Sequence, residues 1–217
     1  RIDYFTPVLH SEYELLQNNC NFFRAKPFML RGGSGNVVLV PFFYKSVCGN
    51  ILVGNSLSWE NNLLDIFHSL EQIELTLERQ IVCPISYGDG YGGKENIKNL
   101  VKDTNLHIKW LDDFLPIKEY QKINEGITHA IFGSLRQQSM GNINYCLRHS
   151  IKVYLYKDSM IYKDLKDIGF KVFTIEDDLV PNSLNTPLSY EDSFTNYMLF
   201  KEILSKKEEY TSFEFER

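Results

Sequence analysis

Short apolar runs alternate with helical patterns along most of the chain, and this alternation constrains the fold more than any other feature. Residues 51–53 form the first run, and apolar residues then recur at three- and four-residue spacing from Leu63 to Leu70. The same unit returns at residues 81–85, 108–111, 130–132, 153–155 and 172–174. His129 precedes the run at 130–132, which leads into a helix predicted from about Gln137 to Arg148. Such a series is typical of βαβ units. The sequence therefore predicts an α/β fold built on a Rossmann-like, doubly wound parallel sheet.

The first part of the chain follows a different pattern. Residues 4–8 are strand-like, Ser11 is a candidate helix N-cap, and the glycines of residues 32–35 are typical of a linker. Because the chain begins at Arg1 without Met, inside the strand-like run, we expect a fragment of a longer protein. We interpret residues 1–45 as the remnant of an N-terminal domain and its linker.

The last part of the chain predicts a long amphipathic helix. Apolar residues fall on one helical face from Tyr190 onwards, at Phe194, Tyr197, Met198 and Ile203. We expect residues 189–217 to pack back on a domain interface. Residues 46–188 then form the Rossmann-like domain.

Composition excludes several classes of partner. The 217 residues carry a net charge of −5 without a basic block, which disfavours nucleic acid. There is no apolar stretch of the length that a transmembrane helix needs. Cys20, Cys48, Cys83 and Cys146 are widely spaced, which indicates free thiols in a reducing cytoplasm.

Polar and small residues follow the strands at the edge where parallel sheets bind ligands. Backbone N–H groups at a helix N-terminus favour phosphate, and Arg136 adds a bidentate donor. The same residue types also serve turns and caps. The candidate loops are residues 54–56, 86–89, 112–113, 133–136 and 158–159.

Several catalytic classes lack their motifs. No G-x-G-x-x-G follows the first strand, and neither a P-loop nor a G-x-S-x-G elbow occurs. The five histidines show no metal-ligand spacing, so we expect no metal site. NAD-dependent dehydrogenase, P-loop kinase and serine hydrolase are therefore disfavoured.

Three motifs in order resemble a known family across residues 50–175. They read ILVGNS at 51–56 with two asparagines at 61–62, PISYGD at 84–89 with Tyr91, and AIF at 130–132 with RQQSMGN at 136–142. This series resembles the TDP-Fuc4NAc (4-acetamido-4,6-dideoxygalactose) transferases of enterobacterial common antigen synthesis. The chain departs from the family near Ser134 and Leu135, where the family has a basic or His residue, and again in the segment after Ser56 and at residues 90–93.

The resemblance implies the C-terminal, nucleotide-sugar-binding domain of a GT-B glycosyltransferase. It implies metal-independent, inverting transfer of a dTDP-linked amino-deoxy sugar to a lipid-linked or polysaccharide acceptor, without a cofactor, in biosynthesis of the bacterial cell envelope. The acceptor site and the catalytic base would lie largely outside this chain. We therefore expect a cytoplasmic protein with peripheral inner-membrane contact through the other domain, and a fragment inactive by itself.

Each motif residue has an expected role in binding the donor. We expect Arg136 to stabilise the leaving group, with Gln137 beside it, and Gly141 to permit close backbone approach. The other expected contacts are Gly54, Asn55 and Ser56 to the diphosphate, Gln138 and Asn142 to ribose or sugar hydroxyls, and Tyr87, Gly88 and Asp89 to the donor sugar or base.

Two alternatives stay open. One is a non-catalytic nucleotide-binding or interaction module that docks through residues 190–200. The other is a sugar-nucleotide epimerase, which requires a pair of acid and base carboxylates that the sequence does not suggest.

Overall fold

The computed structural model describes residues 2–27, 39–73 and 79–210. The glycine-rich segment expected to be a linker, residues 32–35, lies outside these ranges. The strands are β1 (Tyr4–Phe5), β2 (Lys26–Pro27), β3 (Asn50–Val53), β4 (Ile81–Pro84), β5 (Ile108–Leu111), β6 (Ile127–Phe132), β7 (Lys152–Leu155) and β8 (Phe173–Thr174). The helices are α1 (His10–Asn19), α2 (Leu63–Glu71), α3 (Lys94–Leu100), α4 (Ile117–Glu125), α5 (Met140–Arg148), α6 (Met160–Ile168), α7 (Ile175–Asp178), α8 (Pro181–Leu184) and α9 (Tyr190–Tyr210).

The described residues form a six-stranded sheet with the order β5-β4-β3-β6-β7-β8. Every neighbouring pair in it is parallel. The chain builds outward from β3 to β5, then returns to place β6 on the other side of β3. The strand order therefore reverses between β3 and β6, which is the topological switch point of a doubly wound sheet.

Side chains alternate between the two faces of this sheet, as successive strand residues must. Ile51, Cys83 and Tyr154 belong to the core on one face, together with buried residues of α2 and α8. Leu52 and Val153 belong to the core on the other face, together with α5, α6 and Phe200 of α9. Helices thus cover both faces, and the predicted α/β fold with a doubly wound parallel sheet is confirmed.

Residues 2–27 form a small unit that packs on α6. The strand predicted at residues 4–8 is confined to Tyr4–Phe5, which pairs with Lys26–Pro27. The prediction of Ser11 as an N-cap is wrong: α1 begins at His10, and Glu12 accepts from the Leu9 N–H at 3.0 Å. The Ser11 N–H donates instead to Asp164 Oδ1 of α6, at 3.2 Å. A carboxylate from another helix therefore satisfies the first turn of α1.

The predicted long C-terminal helix is confirmed as α9. Its buried face carries Ser193, Asn196 and Phe200, whereas Phe194 and Met198 are each 43% exposed. Asn196 Oδ1 accepts from the Lys171 N–H at 2.7 Å, and Asn196 Nδ2 donates to the Lys171 carbonyl at 3.1 Å. This two-point contact fixes α9 against the segment that leads into β8.

Buried cationic side chains hold the segment around α8 at the amino edge of the sheet. Arg79 precedes β4 and donates to the Leu184 carbonyl. Lys152 begins β7, and its ammonium donates to the carbonyls of Ser183 and Thr186 at 2.9 and 2.8 Å. These groups meet the last carbonyls of α8, which have no partner inside the helix.

His129 contacts Arg79 and shares the Thr186 carbonyl with Lys152. It lies within β6, not ahead of the strand as the sequence suggests, and its side chain is buried. Arg79 Nη2 is 2.8 Å from Nδ1, so Nδ1 is the acceptor and the ring proton is on Nε2, which faces the Thr186 carbonyl at 3.1 Å. Burial, then the charge of Arg79, lowers the pKa of His129 to about 3. The imidazole is therefore neutral at physiological pH.

Candidate functional site

The loops that follow β3 and β6 are joined across the switch point by side-chain hydrogen bonds. Ser139 Oγ donates to Asn55 Oδ1 at 2.7 Å, and Asn62 Nδ2 donates to the Gly133 carbonyl at 2.6 Å. Asn55 Nδ2 also donates to the Tyr87 hydroxyl at 2.8 Å, on the loop that follows β4. The structure thus brings together the three motifs that the sequence singled out.

The loop after β4 is tightly packed on the loop after β3. Leu57 N donates to the Tyr87 carbonyl at 2.7 Å, and Gly90 N donates to the Leu57 carbonyl at 2.6 Å. Gly88 has φ +103°, and a Cβ there would lie 2.7 Å from the carbonyl carbon of Leu57. Glycine is required at this position by both backbone conformation and space. Tyr87 itself is 52% exposed at the rim, and Asp89 beside it is also exposed.

Arg136 makes an ion pair with Glu60 between the two loops. Arg136 Nη2 lies 2.8 Å from Glu60 Oε1, and the two side chains are 59% and 45% exposed. The hydrogen bond from Arg136 lowers the pKa of Glu60. The guanidinium is therefore available to solvent at the switch point, with a carboxylate already beside it.

The amino end of α5 also lies at the switch point. The helix expected to begin near Gln137 begins at Met140, because Ser139 has φ +61° and interrupts the helical backbone before it. Gln137 and Gln138 consequently lie in the loop. The first backbone N–H groups of α5 have no partner within the helix. Gly141 in this turn is exposed, and a Cβ added there would meet nothing within 4 Å.

Gly54 and Ser56 stabilise the conformation of the loop after β3. The Gly54 N–H donates to the Ile131 carbonyl at 2.9 Å, and its φ of +64° lies in the left-handed region. Ser56 is fully buried, and its Oγ accepts from Asn61 Nδ2 at 2.9 Å. Both residues shape the turn that presents Asn55, since their polar groups are directed into the protein.

Further polar atoms at the switch point lack protein partners. Asn61 Oδ1, Ser134 Oγ and Gln138 Oε1 are buried and make no hydrogen bond within the residues that the structure describes. Such groups are normally satisfied by protein, water or ligand. Asn142 differs, because its Oδ1 accepts from the Tyr120 hydroxyl at 3.4 Å.

Sequence reasoning missed Glu60, Asn61 and Ser139. Asn61 stands inside a quoted motif, yet its role as the buried support of Ser56 depends on the conformation of the 3-10 turn Trp59–Asn61. Glu60 carries no sequence signal, since its partner Arg136 is 76 residues away. Within residues 2–27, 39–73 and 79–210, no group of three His, Cys, Asp or Glu side chains is placed to hold a metal ion.

Among the helices of the described residues, none has both the length and the apolar character needed to span a bilayer.

Comparisons with known proteins give structural similarities at low sequence identity. No protein-family model matches the chain. No curated protein sequence matches it either. Trehalose-6-phosphate synthase OtsA aligns with a TM-score of 0.52 and 11% identity, over 74% of this chain and 40% of its own. The catalytic domain of cholesterol-α-glucosyltransferase from Helicobacter pylori aligns with a TM-score of 0.49 and 12% identity, over 79% of this chain and 99% of its own.

The chain therefore spans less than half the length of the synthase with which it aligns. At these identities the similarity concerns the fold alone. The α/β fold with its six-stranded parallel sheet is similar to the fold of the part of OtsA with which it aligns.

Proposed function

We propose that this chain is the nucleotide-sugar-binding domain of a GT-B glycosyltransferase, and that the diphosphate of the donor binds between the loops after β3 and β6. The observation that carries the proposal is the convergence of Arg136, Asn55 and the amino end of α5 at the switch point. Positive charge and unpaired N–H groups at one place favour an anion. The fold similarity to OtsA, a trehalose-6-phosphate synthase, supports the same class of chemistry.

In the proposed reaction, negative charge develops on the diphosphate next to Arg136 and the amino end of α5. An acceptor hydroxyl attacks the anomeric carbon, the bond from that carbon to the diphosphate oxygen breaks, and the electron pair stays on the diphosphate. Arg136 and the first N–H groups of α5 stabilise this charge as it develops. A base from a domain outside this chain takes the hydroxyl proton. The transfer is proposed to be inverting and independent of metal.

The donor is proposed to be a dTDP-linked amino-deoxy sugar similar to Fuc4NAc, and the acceptor a lipid-linked or polysaccharide glycan. Support comes from the three motifs and their order along the chain. Tyr87 and Asp89 stand exposed on the rim beside Asn55, where a sugar or base extending from the diphosphate would reach them. Gln138, with its unpartnered Oε1, is the acceptor proposed for a hydroxyl group of the donor.

We keep the division of the chain as part of this proposal. Residues 1–45 would belong to the junction with an N-terminal domain, residues 46–188 to the donor domain, and residues 189–217 to the helix returning to the domain interface. The complete enzyme would act in the cytoplasm and touch the inner membrane through its acceptor domain.

Calorimetry of the purified chain with dTDP and with UDP tests the proposal. We expect dTDP to bind more tightly than UDP, and Arg136→Ala to weaken dTDP binding at least about tenfold, as for loss of a charged hydrogen bond. Arg136→Lys should restore part of the loss, because it keeps the charge but not the fork. Lack of dTDP binding by the unaltered chain would contradict the proposal. Binding without sugar transfer by the longer protein would instead indicate a nucleotide-binding module.

A further inference from the structure

Glu60 is placed beside the site in a way that the proposed donor contacts do not explain. Its carboxylate oxygen Oε1 lies 2.8 Å from Arg136 Nη2. The guanidinium of Arg136 is the same group that is proposed to hold the diphosphate. A phosphate oxygen that binds Arg136 must therefore displace Glu60 or share the guanidinium with it. The following inference rests on the proposed function.

The position of Glu60 is fixed by its neighbours. It lies in the short 3-10 turn Trp59–Asn61. Trp59 contacts the ring of Tyr91 with centroids 4.5 Å apart, and the Tyr91 hydroxyl accepts from the Leu63 N–H at 2.8 Å. The fully buried Asn61 donates to the Ser56 carbonyl at 2.9 Å. The backbone that carries Glu60 is therefore held on both sides.

Arg136 is held less firmly. It lies on the exposed part of its loop, where Leu135 is 52% exposed. Its remaining hydrogen bond, to the Gln137 carbonyl, is long at 3.5 Å. When an anion binds, the guanidinium can turn toward it, whereas the carboxylate of Glu60 stays beside the site. Glu60 then acts on the bound ligand through its negative charge.

We infer that Glu60 discriminates against the nucleotide diphosphate product relative to the sugar-bearing donor. The terminal phosphate of free dTDP undergoes a second ionisation near neutral pH, with a pKa of about 6. The corresponding phosphate of the donor is esterified to the sugar and lacks this ionisation. The Glu60 carboxylate beside the site therefore repels the product more strongly than the donor, and Arg136 turns back to Glu60 as the product leaves. Product release limits turnover in many enzymes.

The size of the effect follows from the exposure of the pair. Exposed ion pairs are weak, so a diphosphate that also contacts α5 draws Arg136 away from Glu60. Removing the carboxylate while keeping the shape, in Glu60→Gln, should tighten dTDP binding by about three- to fivefold. Binding of dTDP-glucose, which represents the esterified diphosphate, should tighten by less than about twofold.

Calorimetry with dTDP and dTDP-glucose on four forms of the 217-residue chain tests the inference: unaltered, Glu60→Gln, Arg136→Ala and Asp177→Asn. Asp177 is the matched control, because its exposed carboxylate pairs with Lys157 at 3.0 Å and its substitution makes the same change in net charge. We expect Glu60→Gln alone to lower the ratio of the dTDP Kd to the dTDP-glucose Kd.

The outcomes separate the two proposals. If the unaltered chain binds dTDP and Arg136→Ala weakens it, the proposed function stands. An unchanged Kd ratio in Glu60→Gln, or an equal change in Asp177→Asn, then overturns the inference about Glu60 alone. If the unaltered chain does not bind dTDP, both the proposed function and the inference are wrong.

Discussion

Asn55 and Ser139 lie 84 positions apart in the chain, and their side chains are joined by a hydrogen bond of 2.7 Å. The bond crosses the switch point of the sheet, between the loops that follow β3 and β6. Because Asn55 also donates to the Tyr87 hydroxyl at 2.8 Å, one side chain positions three loops. The affinity for a ligand that contacts all three loops therefore depends on Asn55, even if the ligand does not contact Asn55 directly.

Asn55→Ala should weaken dTDP binding by about five- to tenfold, because each lost hydrogen bond contributes roughly 1 kcal/mol to the arrangement of the loops. Calorimetry measures the effect. Asn19→Ala, which removes an exposed asparagine on α1, is the control and should leave the Kd unchanged. Equal affinities for Asn55→Ala and the unaltered chain would show that the loops do not require this contact.

Gly141→Ala should separate stability from binding. The added methyl group meets nothing within 4 Å, and alanine favours a helix over glycine, so unfolding in urea should require about 0.5 kcal/mol more. The same methyl group would stand where the diphosphate is proposed to approach α5, so the Kd for dTDP should rise. A stabilised variant with unchanged dTDP affinity would show that the phosphate does not bind next to Gly141.

Gly88→Ala should destabilise the protein more than Gly93→Ala. Both glycines have φ above +100°, but a Cβ at Gly88 would lie 2.7 Å from Leu57 backbone, whereas one at Gly93 meets nothing within 4 Å. Alanine is strained by the positive φ at both positions, and Gly88 has the backbone clash in addition. Urea denaturation of both variants should place the difference above about 1 kcal/mol. Similar losses would mean that the loops separate readily.

His129 should make the protein sensitive to acid. Its folded pKa of about 3 lies below the unfolded value, so the neutral ring stabilises the fold above the unfolded pKa of about 6.5. That stability is lost as pH falls from 6.5 toward 3, by up to about 1.4 kcal/mol per unit. Urea unfolding at pH 7, 6 and 5 measures the slope. His129→Gln should be less stable at pH 7 and show a shallower slope, and an identical slope would assign the titration to another group.

Asn196→Ala should loosen α9. It leaves the N–H and carbonyl of Lys171 without their side-chain partners in a half-buried place, which should cost about 1–3 kcal/mol. Unfolding in urea measures the loss. Ser205→Ala, on the exposed side of the same helix, is the control and should change stability by less than about 0.5 kcal/mol. A loss no greater than that of the control would mean that apolar packing alone holds α9.

The parallel sheet could be predicted because its strands are buried on both faces and appear as continuous apolar runs. Strand order could not be read from periodicity, since it depends on which strands pair after the crossover through α4. The start of α5 was misplaced for a local reason: Ser139 adopts φ +61°, which serine seldom does, while Gln137 and Gln138 are good helix formers. The bond from Ser139 to Asn55 compensates for that conformation.

The candidate site was predictable at the level of loops and not of contacts. Motif order placed Asn55, Tyr87 and Arg136 at the carboxyl edge, since that edge follows from the direction of the strands. The sequence did not show which of the site residues are enclosed within the loops and which are exposed. Ser56 is enclosed by Asn61, and Arg136 is paired with Glu60, and both relationships depend on the 3-10 turn ahead of α2.

The cluster of Arg79, His129 and Lys152 anchors the segment around α8 at the amino edge of the sheet, on the side opposite the proposed donor site. Anchoring and the proposed recognition are therefore carried by separate ends of the same strands. Randomising exposed rim positions such as Tyr87, Asp89 and Leu135 leaves every one of those anchoring contacts in place. The domain is consequently suited to directed evolution, in which a library of carboxyl-edge loops can be selected for new ligands on an unchanged frame.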